Sequence, residues 1–275
     1  MVGMDPARSG AAICYALAQA LRHPRQAIRH VYCGFRRKDR AYAASAAWVE
    51  GALPRLPLAR LWPEAAAAGI SIPRALDREW MISITVDELA CLCAVEKCVR
   101  AKRVMEIGTW DGNTALALAA NLEGGEGEVV TLDLPPDFGD NAARDALVFP
   151  DVDLNLTDRR HLGRQLRQHP LAGRVRQVYG DSAAIDWSRL GGPFDLIFID
   201  GCHSEAYVDS DSRNALKHLR AGGAIVWHDY ACLADVSRVV DRIARARPEL
   251  KVAAIEGTRL ALGVVPAAPG GPDAK

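Results

Sequence analysis

Several features are missing from this 275-residue sequence. It has no net charge, because 34 lysines and arginines face 34 aspartates and glutamates. Without a basic excess the chain is a poor coat for nucleic acid. No apolar run reaches the ~20 residues needed to span a bilayer. The apolar stretch Ala11–Leu21 is too short, and it follows Arg8 without a clear cleavage site, so a signal peptide is not expected either. The cysteines, at 14, 33, 91, 93, 98, 202 and 232, are odd in number and irregular in spacing, which argues against a disulfide framework. Cys91, Cys93 and Cys98 cluster without the paired C-x-x-C of a zinc site. Buried or half-buried thiols in a reducing cytoplasm are the expectation. Lysine is scarce too, with 6 against 28 arginines, which together with the abundant alanine reads as genome composition.

The zero charge is a sum of unequal parts. Residues 1–60 hold ten basic and three acidic residues, an excess of seven that the remainder must offset. This segment reads as short helices with basic faces, Arg22, Arg25 and Arg29 at helical spacing and Arg36, Arg37, Lys38 and Arg40 in a cluster. A solvated face is the plainer reading of both. Pro54, Pro57, Pro63 and Pro73 then predict an irregular connector. Thr85 followed by Glu88 is a capping box, opening a helix that runs to Val99.

From residue 103 strands and helices alternate. Strands are expected at 103–107, 128–132, 174–179, 194–199, 224–227, 251–255 and 259–265, and helices at 113–122, 205–219 and 234–246. The run Phe194–Ile199 is apolar throughout, as in a strand buried on both faces. Such alternation implies a parallel sheet covered by helices. The last two strands, separated by Glu256–Thr258, suit a hairpin and add one antiparallel strand. The tail 266–275, rich in Pro and Gly, is expected to be disordered.

Ligands of doubly wound sheets sit at the carboxyl ends of the strands. There the sequence places Glu106, Gly108 and Gly112, then Asp133, then Asp181 with Ser182. The dinucleotide fingerprint G-x-G-x-x-G is absent, since Trp110 and Asn113 stand where it needs glycine. A carboxylate at 106 would repel a diphosphate and attract an amine or a sulfonium, and one at 133 can accept both hydroxyls of a ribose. Two further pairs follow the next strands, Asp200 with His203 and His228 with Asp229.

These pieces, Glu106–Thr114, Thr131–Pro135, Gly180–Ser182, Phe198–His203, Trp227–Tyr230 and Ile255–Thr258, resemble class I S-adenosylmethionine-dependent methyltransferases, in the branch with D-G-x-H and H-D-Y elements. The resemblance implies a Rossmann-like, doubly wound, mostly parallel α/β sheet of seven strands in a domain over residues 85–265; residues 1–84, outside the resemblance, are expected to form a helical, basic extension before it. The resemblance also implies S-adenosyl-L-methionine as donor, bound by Glu106, Gly108, Thr109, Trp110, Gly112, Asn113, Thr114, Asp133, Leu134, Asp181, Ser182 and Asp200. Trp110 departs from the pattern, because many members have a second glycine there.

Transfer from a sulfonium is a direct displacement that needs alignment and exclusion of water. A hydroxyl acceptor must also lose its proton. His203 or His228, with Asp229, is the expected base. The alternative is a magnesium-type cation on Asp200 and Asp229, as in catechol-type methyltransferases; those commonly add an asparagine where Tyr230 stands here. A histidine role in holding loop backbone is the third reading. The insertion Pro135–Leu156 is expected to fold over the site as part of the acceptor pocket. The expected partner is a small-molecule acceptor, with self-association through the N-terminal extension and no nucleic acid. A nicotinamide oxidoreductase and a non-catalytic nucleotide-binding module are the competing classes; the missing fingerprint disfavours the first and the two histidines the second.

Overall fold

The computed structural model describes residues 51–73, 84–136 and 161–267. The expected helices before residue 51, most of the Pro135–Leu156 insertion and the tail from 268 lie outside the described residues, as do Cys14 and Cys33.

The described strands form one sheet: β1 (Arg55–Leu56), β2 (Arg103–Ile107), β3 (Glu128–Asp133), β4 (Val175–Tyr179), β5 (Phe194–Ile199), β6 (Leu219–Trp227), β7 (Ala253–Ile255) and β8 (Ala261–Val264), in the order β1-β7-β8-β6-β5-β2-β3-β4. Pairing is parallel except that β8 runs antiparallel to both β6 and β7. This is the expected Rossmann-like arrangement with one antiparallel strand, but with eight strands instead of seven. The extra strand, β1, comes from the proline-rich stretch read as an irregular connector. β6 also begins at Leu219, five residues before the expected start, with a register irregularity opposite Phe194 and Leu196. The strand order reverses between β2 and β5, whose ends pair as Ile107 with Ile199. This switch point is where such sheets open a crevice.

Successive strand residues point to opposite faces, and both faces are covered. Val104, Val129, Leu196 and Phe198 pack on one side with Leu89, Leu92 and Val95 of α2 (Val86–Cys98) and Leu116 of α3 (Asn113–Asn121). Met105, Val130, Ile197 and Trp227 pack on the other with Val208 of α4 (Glu205–His218) and Val236 and Val239 of α5 (Ala234–Ala246). Two buried faces explain why the strands read as unbroken apolar runs. Before α2, a short helix α1 (Leu58–Leu61) and a 3-10 segment (Pro63–Ala67) carry the chain across the first face, with Leu58, Leu61 and Trp62 against its core. Ser71 closes this strap by exchanging two hydrogen bonds with the Asn121 side chain at the end of α3. No helix of the described residues is long and apolar enough to cross a membrane.

Candidate functional site

The glycine turn after β2 sits at the switch point. Gly108 has φ +98°, and a Cβ there would collide with the carbonyl oxygen of Asp200 at the end of β5. Only glycine lets the two strand ends approach this closely. Trp110 lies at φ +40°, a left-handed conformation that L residues adopt at a cost. This is the physical reason a second glycine suits the position. α3 then starts at Gly112, where Asp111 accepts the Asn113 backbone N–H at 3.0 Å. Thr114 is half-buried in its first turn.

Asp133, at the end of β3, is tied into the same turn. Its Oδ2 accepts the N–H groups of Thr109 and Trp110 at 2.8 and 2.9 Å, and Oδ1 accepts that of Leu134 at 2.7 Å. Burial nonetheless lifts its carboxyl to about 6. Glu106, near the end of β2, is fully buried beneath the turn. The Thr131 hydroxyl donates to its Oε2 at 2.5 Å and accepts from Thr109, while Oε1 has no partner. Burial, reinforced by the charges of Asp200, Asp133 and Asp111, holds the Glu106 carboxyl well above its usual range.

Beyond β4, Asp181 Oδ1 accepts the Ala183 N–H at 2.9 Å, and the Ser182 carbonyl accepts the Trp187 indole N–H at 2.9 Å. Tyr207 and Asp211, one turn apart on α4, face this pair: the tyrosine hydroxyl lies beside Asp181, and Asp211 is the neighbour of Ser182.

The carboxyl ends of β5 and β6 bring Asp200, His203, His228 and Asp229 together, as the order of strands implied. His203 is half-buried, with Nε2 3.3 Å from Asp229 Oδ2 and 3.9 Å from Asp200 Oδ1. His228 is 4% exposed and surrounded by acids. Its Nδ1 is 2.9 Å from Asp200 Oδ1 and 3.5 Å from Asp229 Oδ1, and its Nε2 is 3.4 Å from Glu88 Oε2. Burial disfavours its charge, but the Asp200 and Asp229 carboxylates outweigh burial and raise its pKa well above the usual value. Each ring nitrogen of His228 therefore faces a carboxylate, Asp200 on one side and Glu88 on the other.

Two residues of this cluster were not among the expected site residues. Arg259, just before β8, donates from Nε and Nη2 to the two oxygens of Glu88, each at 2.8 Å, and from Nη1 to Asp229 Oδ1 at 2.8 Å. Glu88 does form the expected capping box, accepting the Thr85 N–H at 2.8 Å. The same carboxylate also accepts the Arg259 backbone N–H at 2.9 Å. His228 and Arg259 hold Glu88 far below the usual carboxylate range despite its burial.

Asp200, His203 and Asp229 each offer one ligand atom, and the three atoms lie within 4.8 Å of one another. Two carboxylates and an imidazole suit a divalent cation. Tyr230 does not complete such a set. It is 1% exposed, and its hydroxyl turns away to accept the Leu53 N–H at 2.9 Å and to donate to Asp241 Oδ1 at 2.6 Å.

Residues 105–230 match the model of a family described as a methyltransferase domain. A catechol O-methyltransferase of Mycobacterium tuberculosis (strain ATCC 25618 / H37Rv) is 29% identical over 147 residues, 53% of this chain and 56% of that protein. The chain thus spans about half the length of this curated relative. A crystal structure of a cofactor-bound protein from MTB is 24% identical, covers 77% of this chain and 90% of that one, and superposes with a TM-score of 0.49. The O-methyltransferase TomG from Streptomyces achromogenes, solved with SAM, is 21% identical, covers 68% and 82%, and has a TM-score of 0.48.

Proposed function

We propose that the protein is an S-adenosylmethionine-dependent O-methyltransferase acting on a small hydroxylated molecule. The observation that carries this reading is the convergence of Asp200, His203 and Asp229 on the switch point, directly beside the Gly108 turn. The methyltransferase-domain match over residues 105–230 supports it.

The donor, bound along the edge from the glycine turn to Asp181, supplies the methyl group for direct displacement. Thr109, Trp110, Gly112 and Asn113 shape the turn; Asp133 and Leu134 face the ribose; Asp181 and Ser182 face the adenine. His203 removes the acceptor's proton. Its Nε2 lies 3.3 Å from Asp229 Oδ2, so the ring is held between the acceptor and that carboxylate. Asp229 and Asp200 stabilise the imidazolium that results, as a carboxylate behind a catalytic histidine does. The role of Arg259 is to fix Asp229 by binding its other oxygen.

A second reading rests on the three ligand atoms within 4.8 Å of one another. Asp200, His203 and Asp229 would then hold a divalent cation, which acidifies a bound hydroxyl by lowering its pKa. The catechol O-methyltransferase relative makes vicinal phenolic hydroxyls the first acceptors to try.

The test is methyl transfer from labelled S-adenosylmethionine to a panel of catechols, sugars and hydroxy acids. For the base reading, His203→Ala lowers kcat by about 10²–10⁴ while the Kd for S-adenosylhomocysteine stays within a few-fold. Turnover that survives His203→Ala sinks that role. Turnover that EDTA abolishes and magnesium restores puts the cation in its place.

A further inference from the structure

We infer that the strap residues Gly51–Leu56 are part of the machinery of the site: they hold Asp229 in its working conformation through Tyr230, which is a positioning residue. The inference rests on the reading above, in which Asp229 orients His203.

The backbone at the end of β6 calls for such support. Asp229 has φ +55° and Ala231 φ +59°, both left-handed, on either side of Tyr230. Non-glycine residues stay in this region only where the surroundings over-determine them. Part of that constraint is local. The Asp229 carbonyl accepts the N–H groups of Cys232 and Leu233 at 3.1 and 3.0 Å, and Ser237 Oγ accepts that of Ala231 at 2.8 Å. The Tyr230 N–H reaches the Arg259 carbonyl at 2.9 Å.

Arg259 holds the Asp229 carboxylate; a further constraint on the backbone is the Tyr230 side chain, and it is anchored by the strap. Its hydroxyl accepts from the Leu53 N–H and donates to Asp241, whose second oxygen accepts the Ala52 N–H at 3.0 Å. Gly51 lies against the phenol, and a Cβ there would collide with its hydroxyl. The strap is itself fixed to the sheet edge. Arg55 pairs with Ala254 and Leu56 with Ile255, and the Pro54 and Leu56 carbonyls accept the N–H groups of Ala254 and Glu256, each at 2.9 Å. Movement of the strap therefore displaces Tyr230, and with it the adjacent Asp229, whose Oδ2 lies 3.3 Å from His203 Nε2. A polar contact of that length does not survive a shift of an ångström.

The experiment uses the full chain with Tyr230→Phe, Gly51→Ala and the double variant. Three quantities are read: amide exchange of the segment 228–233, kcat, and S-adenosylhomocysteine affinity by calorimetry. Both single variants should speed exchange of that segment by about tenfold, as opening of one local unit does. They should lower kcat by about 10- to 100-fold, the loss expected for a displacement of about 1 Å at a reacting group. Product affinity should stay within twofold. The double variant should be little worse than Tyr230→Phe, because both changes act on one contact. Wild-type exchange and turnover in both single variants would overturn the inference. So would a loss of product affinity parallel to kcat with faster exchange throughout the sheet, which is what a merely structural role gives. If the wild-type chain neither binds the product nor transfers methyl, the functional reading fails, and exchange of 228–233 alone still decides whether the strap holds this loop.

Discussion

The pair formed by Glu88 and Arg259 gives a sharp energetic test, because nothing in the sequence links two residues 171 positions apart. Both side chains are nearly sealed from solvent, at 2% and 7% exposure, and the guanidinium also carries the ion pair to Asp229. In Arg259→Met the fit is roughly kept but two carboxylates lose their cation. Removing one partner of a buried ion pair costs about 3–5 kcal/mol. Glu88 keeps the Thr85 and Arg259 backbone N–H groups and the His228 imidazolium, so the lower end, about 3 kcal/mol, is expected. For a chain of this size that corresponds to a fall in Tm of roughly 6–12 °C. Glu88→Gln is the right second mutation, because glutamine at this helix position preserves the capping box. In the double variant no carboxylate at 88 is left unpaired, so the two losses should be non-additive by about 1–3 kcal/mol in the favourable direction. Thermal or urea unfolding of the four chains measures this. Additivity within about 0.5 kcal/mol would show that the pair is not coupled, and the account of the Glu88–Arg259–Asp229 chain would be wrong.

Two further outcomes follow from the geometry. Burial lifts the Asp211 carboxyl from 3.8 to about 7, so the folded state binds a proton that the unfolded state releases. Its stabilising contribution is complete below about pH 4 and disappears as the pH rises towards 7, so Asp211→Asn should gain on the wild type across that window by up to about 4 kcal/mol; parallel stability curves from pH 4 to 8 would refute this. At Trp110, φ +40° penalises a β-branched side chain most, so Trp110→Val should melt lower than Trp110→Gly by at least about 1 kcal/mol, and equal melting would remove the argument from backbone strain.

What could be read from the sequence was what local pattern encodes. The apolar run Phe194–Ile199, the strand Arg103–Ile107 and the helix Ala234–Ala246 appear with the expected ends, because burial on two faces and helical periodicity leave direct traces. The acids and histidines at the strand ends were legible because a parallel sheet brings its carboxyl ends together. β1 was not: two residues among prolines carry no period, and their strand partner lies about 200 residues away. The surroundings of His228 were equally hidden, since the carboxylates facing its ring are brought to it by β5 and α2. Glu88 was explained by its capping box, which concealed its second task. The burial of Glu106 was not legible either, since Thr131 on the neighbouring strand and the turn above close it over.

The strap also determines where the chain can be cut. Ala253, Ala254 and Ile255 of β7 are buried, and β1 occupies their outer edge. A chain begun at Ile84 would keep the residues from the glycine turn to the antiparallel strand but would expose an apolar strand with unpaired N–H and C=O groups. Such an edge is a template for pairing with another chain. Shortened versions should therefore associate and precipitate even where the remaining fold is intact, and a soluble fragment needs to begin no later than Gly51.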